Sequence, residues 1–291
     1  MSQKYADNSV RHSGNILICR FLRAFESPSK ITKEVYVGLL RGMQPESKLM
    51  AKEALDILTP VLPQRVPELA PPPVSHLPQW AIWIRRVLVE EQQSAAQLSS
   101  IYSLIIRHHE LFFSIRELFV PHMLNSITRM GIIPSAAYDT RQLSIDVLEL
   151  ILNWEKKRIE SEYNTNSNDN NINTGEKRRA NSESVDEPTA KRTRSSTLGN
   201  SISTQIQQSN ISNVKPYVLP PNLRSHAINY LVRFASISTE SISNQGSLPS
   251  RAIDLLKGFQ SLDSHNDVSA KLAYFLKVLG QVSIYLFIYL N

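Results

Sequence analysis

YDTRQLSIDVLELILNWEKKRIE, residues 138–160, decides the fold class of this chain. Leu143, Val147, Leu150, Ile151 and Trp154 recur at three- and four-residue steps and form one stripe, with Ile145, Leu148 and Leu152 forming a second beside it. That spacing is the period of an α-helix and not the alternation of a β-strand. An apolar face wider than about 100° exceeds what one neighbouring helix covers. This helix must therefore lie between neighbours, as helices do in a stacked array.

The same pattern recurs on either side. Ile31, Val35, Leu39 and Met43, widened by Tyr36 and Leu40, predict a helix that ends before Pro45. A second helix opens at Glu46, carries Leu49, Met50, Ala54, Leu55, Ile57, Leu58 and Val61, and closes at Pro60 and Pro63. Two helices joined by a tight proline turn make a helical hairpin. After the loop PELAPPPVSHLP comes a helix from about Gln79 to Glu91, with Trp80, Ile84, Val87 and Leu88 inward. Its partner runs from about Ser94 to His109 and carries Leu98, Ile101, Leu104 and Ile105. The third pair is Phe113–Met130 and Tyr138–Glu160, the first member ending at Gly131 with Pro134 beyond, the usual order of a helix stop. Beyond residue 220, helices are marked by Leu223, Ile228, Leu231, Val232 and Phe234, by Ile253, Leu255, Leu256 and Phe259, and from Leu272 onward. Successive hairpins of about 30–45 residues with wide apolar faces predict an all-α, HEAT/armadillo-like helical-repeat solenoid. No strong repeat consensus is visible, so a globular helical bundle also stays open.

Residues 161–215 differ in kind, being rich in Asn, Ser and Thr and nearly free of aromatics. Such a stretch buries too little apolar surface to offset the entropy of ordering, which predicts a long disordered insert. The expected organisation is a disordered N-terminus (1–14), a helical-repeat segment (15–160), a disordered linker with basic clusters (161–215) and a second helical-repeat segment (216–291).

Composition narrows the function. The 291 residues include 42% hydrophobic ones, enough for a core, and 9 glycines against 16 prolines. So few glycines argue against a nucleotide-binding α/β fold, whose phosphate loops need residues without a Cβ. The net charge of +6 is spread over helices in which Arg and Lys alternate with Glu, the pattern of solvated faces, so no direct contact of the folded part with nucleic acid is expected. The single cysteine, Cys19, excludes an intrachain disulfide and fits a reducing compartment. The polar N-terminus lacks the apolar core of a signal peptide. Ala273–Leu290 approaches the roughly 20 residues of a membrane span, but Lys277 and Gln281 lie inside it and favour a buried helix over an anchor.

No enzyme is visible. His108, His109 and Glu110 are adjacent, yet no histidine stands at position 113, so the zinc-protease spacing is missing, and neighbouring histidines on a helix diverge by about 100°. Cys19 sits among Ile16, Leu17, Ile18 and Phe21, a setting for core packing and not for a thiolate. No glycine-rich phosphate loop and no nucleophile elbow appear. Neither a cofactor nor a metal is expected. The insert carries the most interpretable signal: Lys177, Arg178 and Arg179, then an acidic spacer, then Lys191, Arg192 and Arg194. Two basic clusters in an extended segment can occupy two acidic grooves of an import receptor together, the spacer setting the effective concentration for the second contact. Ser182, Ser184 and Thr193 are accessible there to phosphorylation, which would subtract positive charge.

Longer strings carry a resemblance. FLRAFESPSKITKEVYVGLLRG, KEALDILTPVLPQRV, WIRRVLVEEQQSAAQL, RMGIIPS and RQLSIDVLELILNWEKKRIESE, then AKRTR, LRSHAINYLVRFAS and SRAIDLLKGF, resemble in order the transformation/transcription domain-associated family of giant pseudokinase scaffolds, related to the phosphatidylinositol-3-kinase-like kinases. The likeness covers about residues 17–160 and 220–278; the ending GQVSIYLFIYLN departs from it and reads as translated intron or a truncated gene model. The resemblance implies a helical-repeat region of a nuclear coactivator scaffold in histone acetyltransferase complexes, whose partners are complex subunits and transcriptional activators. It carries over no catalytic residue, because the family's kinase-like domain lies outside what this chain covers. The alternative from another class is a HEAT-repeat nuclear transport receptor or adaptor. Neither end looks like the polar cap a solenoid needs, so marginal solubility of the isolated chain is expected.

Overall fold

The computed structural model describes residues 8–43, 48–91, 94–133, 135–172, 217–238 and 248–262, with side chains to Asn164 in the fourth stretch and to Ala235 in the fifth. Among these residues the regular structure is helical, and the β-type pairing is one isolated bridge between Leu69 and Pro78. The insert from 173 to 216, with all six basic residues, and the segment from 263 onward, with the helix expected from Leu272, lie outside the described residues.

The chain divides into two compact units, residues 1–156 with 219–291, and residues 157–218. The first unit opens with α1 (Asn8–Ala24), α2 (Ser29–Arg41) and α3 (Lys48–Leu58), then a 3-10 turn (Thr59–Val61) and the short α4 (Leu62–Arg65). Next come α5 (Gln79–Glu90), α6 (Ala95–Arg107), the short α7 (His109–Phe113), a 3-10 turn (Arg116–Leu118) and α8 (Val120–Gly131). The long α9 (Tyr138–Ile172) starts in this unit, which also holds α10 (Pro221–Ser238) and α11 (Leu248–Gln260).

Two layers run through this first unit. In one, α1 packs on α3 and α3 on α6, while α9 meets α11 where Leu152 lies against Gly258 and Arg251 reaches Asp146 and Glu149. In the other, α2 packs on α5 and α8 on α10. Contacts of α2 with α3, α6 with α8 and α10 with α11 join the layers. Each helix thus touches partners two or three elements away, the stacking expected of helical repeats. Leu49 and Ile253, expected on the same kind of face, are exposed at 79% and 45%, whereas Trp80, Ile84, Val87, Leu88, Leu98, Ile101, Leu104, Ile105 and all eight apolar residues named in α9 are buried as the stripes predict. Each large side chain so removed from water contributes about 1.5–3 kcal/mol.

The structure corrects several boundaries. In place of the helix expected from Phe113 to Met130, Phe113 closes α7, a 3-10 turn follows and α8 begins at Val120, because Pro121 has no N–H to donate and fits only the first turn of a new helix. Pro60 and Pro63 do not end the second helix outright; each sits at the start of a fresh turn, the 3-10 turn and α4. α1 begins at Asn8, inside the stretch expected to be unstructured, and α9 runs past Glu160 to Ile172. In the second unit, the Arg158–Glu162 pair at 2.7 Å, one turn apart, supports that extension. Along α2 the buried set is Thr32, Tyr36, Leu39 and Leu40, one position round from the expected Ile31–Val35 edge, and Ile31 is exposed. Tyr36 is turned inward onto Thr59 (Oη to Oγ1, 3.1 Å), and Thr59 donates back to the Leu55 carbonyl at 2.7 Å.

Gly131 does more than stop a helix. It is the last residue of α8, and the capping residue after it, Ile132, has φ of −95°, so no left-handed glycine closes the end. A Cβ at Gly131 would overlap the Tyr230 hydroxyl of α10 and stand 2.5 Å from Ser144 Oγ of α9. Those two buried hydroxyls are hydrogen-bonded to each other at 2.5 Å, and Ser144 also donates to the Arg141 carbonyl. The glycine is therefore what lets three helices meet at one point.

Candidate functional site

The residues singled out for chemistry do not converge. Cys19 is fully buried on the inner face of α1 beside Leu22, and burial pushes its thiol up to about 11, far from a reactive thiolate. His108 faces Asp56 (Nε2 to Oδ1, 2.9 Å), which also accepts from Arg107 at 3.0 Å, while His109 turns away to Glu110 at 3.4 Å. The first is a strap between α3 and α6; the second lies on the surface. Among the described residues, no group of three or more His, Cys, Asp or Glu side chains is placed to hold a metal ion, and no helix is long and apolar enough to cross a membrane. The span considered at 273–290 lies outside the described residues.

What the structure presents outward is a surface. On α1, Cys19 and Leu22 face α3, while Val10, Leu17, Ile18, Phe21 and Phe25 are exposed, Leu17 at 69% and Phe25 at 58%. The Phe21 and Phe25 rings lie 4.9 Å apart on the solvent side. Arg11, Arg20 and Arg23 are also exposed, and the helix carries no carboxylate between Asn8 and Ala24. Ile18 continues into a groove of about 590 Å3 between α1, α2 and α3, floored by Gly14, Gly38 and Ala51 and edged by Val35, Leu39 and Met50. A Cβ at Gly14 or Gly38 would meet nothing within 4 Å, so the packing of this chain does not require either glycine. Lone exposed apolar side chains are ordinary, but Leu17, Phe21 and Phe25 follow one another along one side of α1 and just past its end, and an exposed apolar patch marks an interaction surface.

The sequence pattern places Leu17, Ile18 and Phe21 around Cys19 as one apolar cluster. The structure splits them between two faces. The signal was present in the steps from Val10 to Leu17, Phe21 and Phe25, which share a helical face that excludes Cys19.

Comparison with known proteins agrees with this architecture. The family model described as "Tra1 HEAT repeat ring region" matches residues 1–285. The chain is 40% identical over 156 residues to the probable transcription-associated protein 1 of Dictyostelium discoideum, covering 54% of this chain and 3% of that protein. It is 29% identical over 277 residues to the SAGA complex/NuA4 acetyltransferase complex subunit TRA1 of Saccharomyces cerevisiae, covering 95% of this chain and 7% of that subunit. It is 28% identical over 297 residues to the human transformation/transcription domain-associated protein, covering 97% of this chain and 7% of that protein. The chain thus spans only a small fraction of the length of these relatives. A match to nearly the whole chain, together with stacked helices that present a surface and no convergent chemistry among the described residues, places it: the chain belongs to the Tra1 HEAT repeat ring region family.

Proposed function

We propose that this chain is a non-catalytic scaffold segment of a coactivator subunit in histone acetyltransferase complexes, acting in the nucleus by presenting helical surfaces to other subunits and to transcriptional activators. The observation that carries the reading is the outward run Leu17, Phe21 and Phe25, an apolar patch on α1 and just past its end, whose other side is already packed. A relative named as a SAGA and NuA4 subunit supports the assignment to such assemblies. The mechanism is geometric: partners gain affinity by burying apolar area against prearranged helices. Membership of the Tra1 ring family favours this reading over a transport receptor.

The six basic residues Lys177, Arg178, Arg179, Lys191, Arg192 and Arg194 form the import signal in this reading, taken up by an import receptor. Purification of the tagged chain from nuclear extract, with Leu17→Asp/Phe21→Asp beside it, tests the scaffold. Acetyltransferase-complex subunits should co-purify with the parent and fall away with the double variant. Cargo released by Ran-GTP in their place would overturn the assignment. A fluorescent reporter fused to the chain tests the signal: alanine at all six basic positions should abolish nuclear accumulation, and unchanged accumulation refutes it.

A further inference from the structure

We infer that the joint between the α5/α6 and α8/α9 pairs is the compliant joint of the first unit, opening and closing on its α6–α9 side about a pivot on the other side. Bending a stack of helices needs one edge that holds and one that yields. At the other joints of the layer containing α6 and α9, a charged side chain crosses from one helix to the next. His12 of α1 meets Glu53 of α3 at 3.1 Å. Arg107 and His108, at the end of α6, both hold Asp56 of α3. Arg251 of α11 holds Asp146 and Glu149 of α9 at 2.8 and 2.6 Å.

The α6–α9 joint is built differently: the tie just past the end of α6 is neutral, Trp154 Nε1 of α9 donating to the His109 carbonyl at 3.3 Å. A groove of about 380 Å3 lies there, with Ala96, Ser99 and Ser103 on the α6 wall and Thr140, Gln142 and Asp146 on the α9 wall. α6 carries one charged residue, Arg107, and that is engaged by Asp56 on the opposite neighbour. The Ser99 and Ser103 hydroxyls are bonded within their own helix, to the carbonyls of Ala95 and Ser99 at 2.7 and 2.8 Å. Widening this groove uncovers Leu143 among otherwise small and polar groups and breaks no ion pair of α6, whereas widening α9–α11 would break an ion pair and uncover Leu152.

The opposite edge is held firmly. Trp80 of α5 meets Phe112 of α7 edge-on at 5.8 Å, and Phe112 meets Phe119, at the head of α8, edge-on at 5.4 Å; all three are buried. Tyr102 of α6 reaches Ser126 Oγ of α8 at 2.7 Å and donates to the His122 carbonyl at 3.2 Å. Edge-to-face aromatic pairs keep their attraction over a range of tilt, which suits a pivot.

Pulsed electron–electron distance measurement on the whole chain tests this. Nitroxides at Ser103→Cys and Gln142→Cys span the groove, and a second pair at Asn153→Cys and Ile253→Cys spans the clamped α9–α11 joint. The distance distribution across the groove should be broader than the reference. Filling the groove with Ser99→Phe, or with Ala96→Leu if the first variant loses helical signal, should narrow it to the reference width. Equal widths in the parent chain, or a breadth unchanged by a folded groove-filling variant, would overturn the inference.

Discussion

Replacing Gly131 with alanine is a one-carbon change with a large expected effect. The new Cβ would overlap the Tyr230 hydroxyl and crowd Ser144 Oγ at 2.5 Å, so one of the three helices must move or the buried hydroxyl pair must part. Overpacking a tight site costs about 1–3 kcal/mol. A buried hydroxyl left without its partner adds about 1–3 kcal/mol. The gain of alanine over glycine in a helix, at most about 1 kcal/mol, is reduced here because Gly131 is the last helical residue. The net loss should be about 3 kcal/mol. Urea unfolding followed by helical circular dichroism reads it as a lower midpoint at unchanged slope. The double variant Gly131→Ala/Tyr230→Phe removes the oxygen that the methyl strikes, while Ser144 keeps its bond to the Arg141 carbonyl. It should recover about 1–2 kcal/mol relative to the sum of the single changes. A Gly131→Ala chain within about 0.5 kcal/mol of the parent, or strict additivity, would refute the claim that this glycine exists for close approach.

Three further outcomes follow from the packing. Arg251→Gln removes the half-exposed strap from α11 to Asp146 and Glu149 and should cost less than about 1 kcal/mol, shrinking further in 1 M salt; a salt-independent loss would contradict an ionic role. Cys19 should react with a thiol reagent only as fast as the chain opens, so its labelling rate should rise with urea, and rapid labelling in buffer would contradict its burial. His122 and His226 are held below the ordinary imidazole range, chiefly by burial and then by Arg85 and Arg233 respectively. Both bind protons more weakly folded than unfolded, so their contribution is complete above about pH 6.5 and is lost as pH falls through the lowered folded values. The urea midpoint should drop between pH 7.5 and 5, and by less in His122→Gln/His226→Gln; an identical drop in both chains would exclude them.

The fold class was readable because apolar spacing reports helices directly, and the doubled stripe of α9 reports that a helix has neighbours on more than one side. Termini and breaks were less readable. Pro121 broke a helix that periodicity alone would carry through, since the hydrophobic pattern does not register a missing N–H. Gly131 looked like an ordinary helix stop because its reason lies in Tyr230, far along the chain, and close approach between distant segments leaves no local mark. The α1 surface was half legible. Its residues were visible as apolar, but which of them face α3 depends on a rotation of the helix that only packing fixes. The import signal was legible from charge spacing alone, in a stretch outside the described residues.

The pattern in which each helix packs on the next one or on one two or three elements away also governs how the polypeptide is made. From α1 to α8 the surface a new helix packs against has already left the ribosome when that helix emerges, whereas α8 meets α10 only after the long insert has been made. Assembly of those first helices can keep pace with translation, and the α8 and α9 faces stay uncovered until α10 and α11 follow.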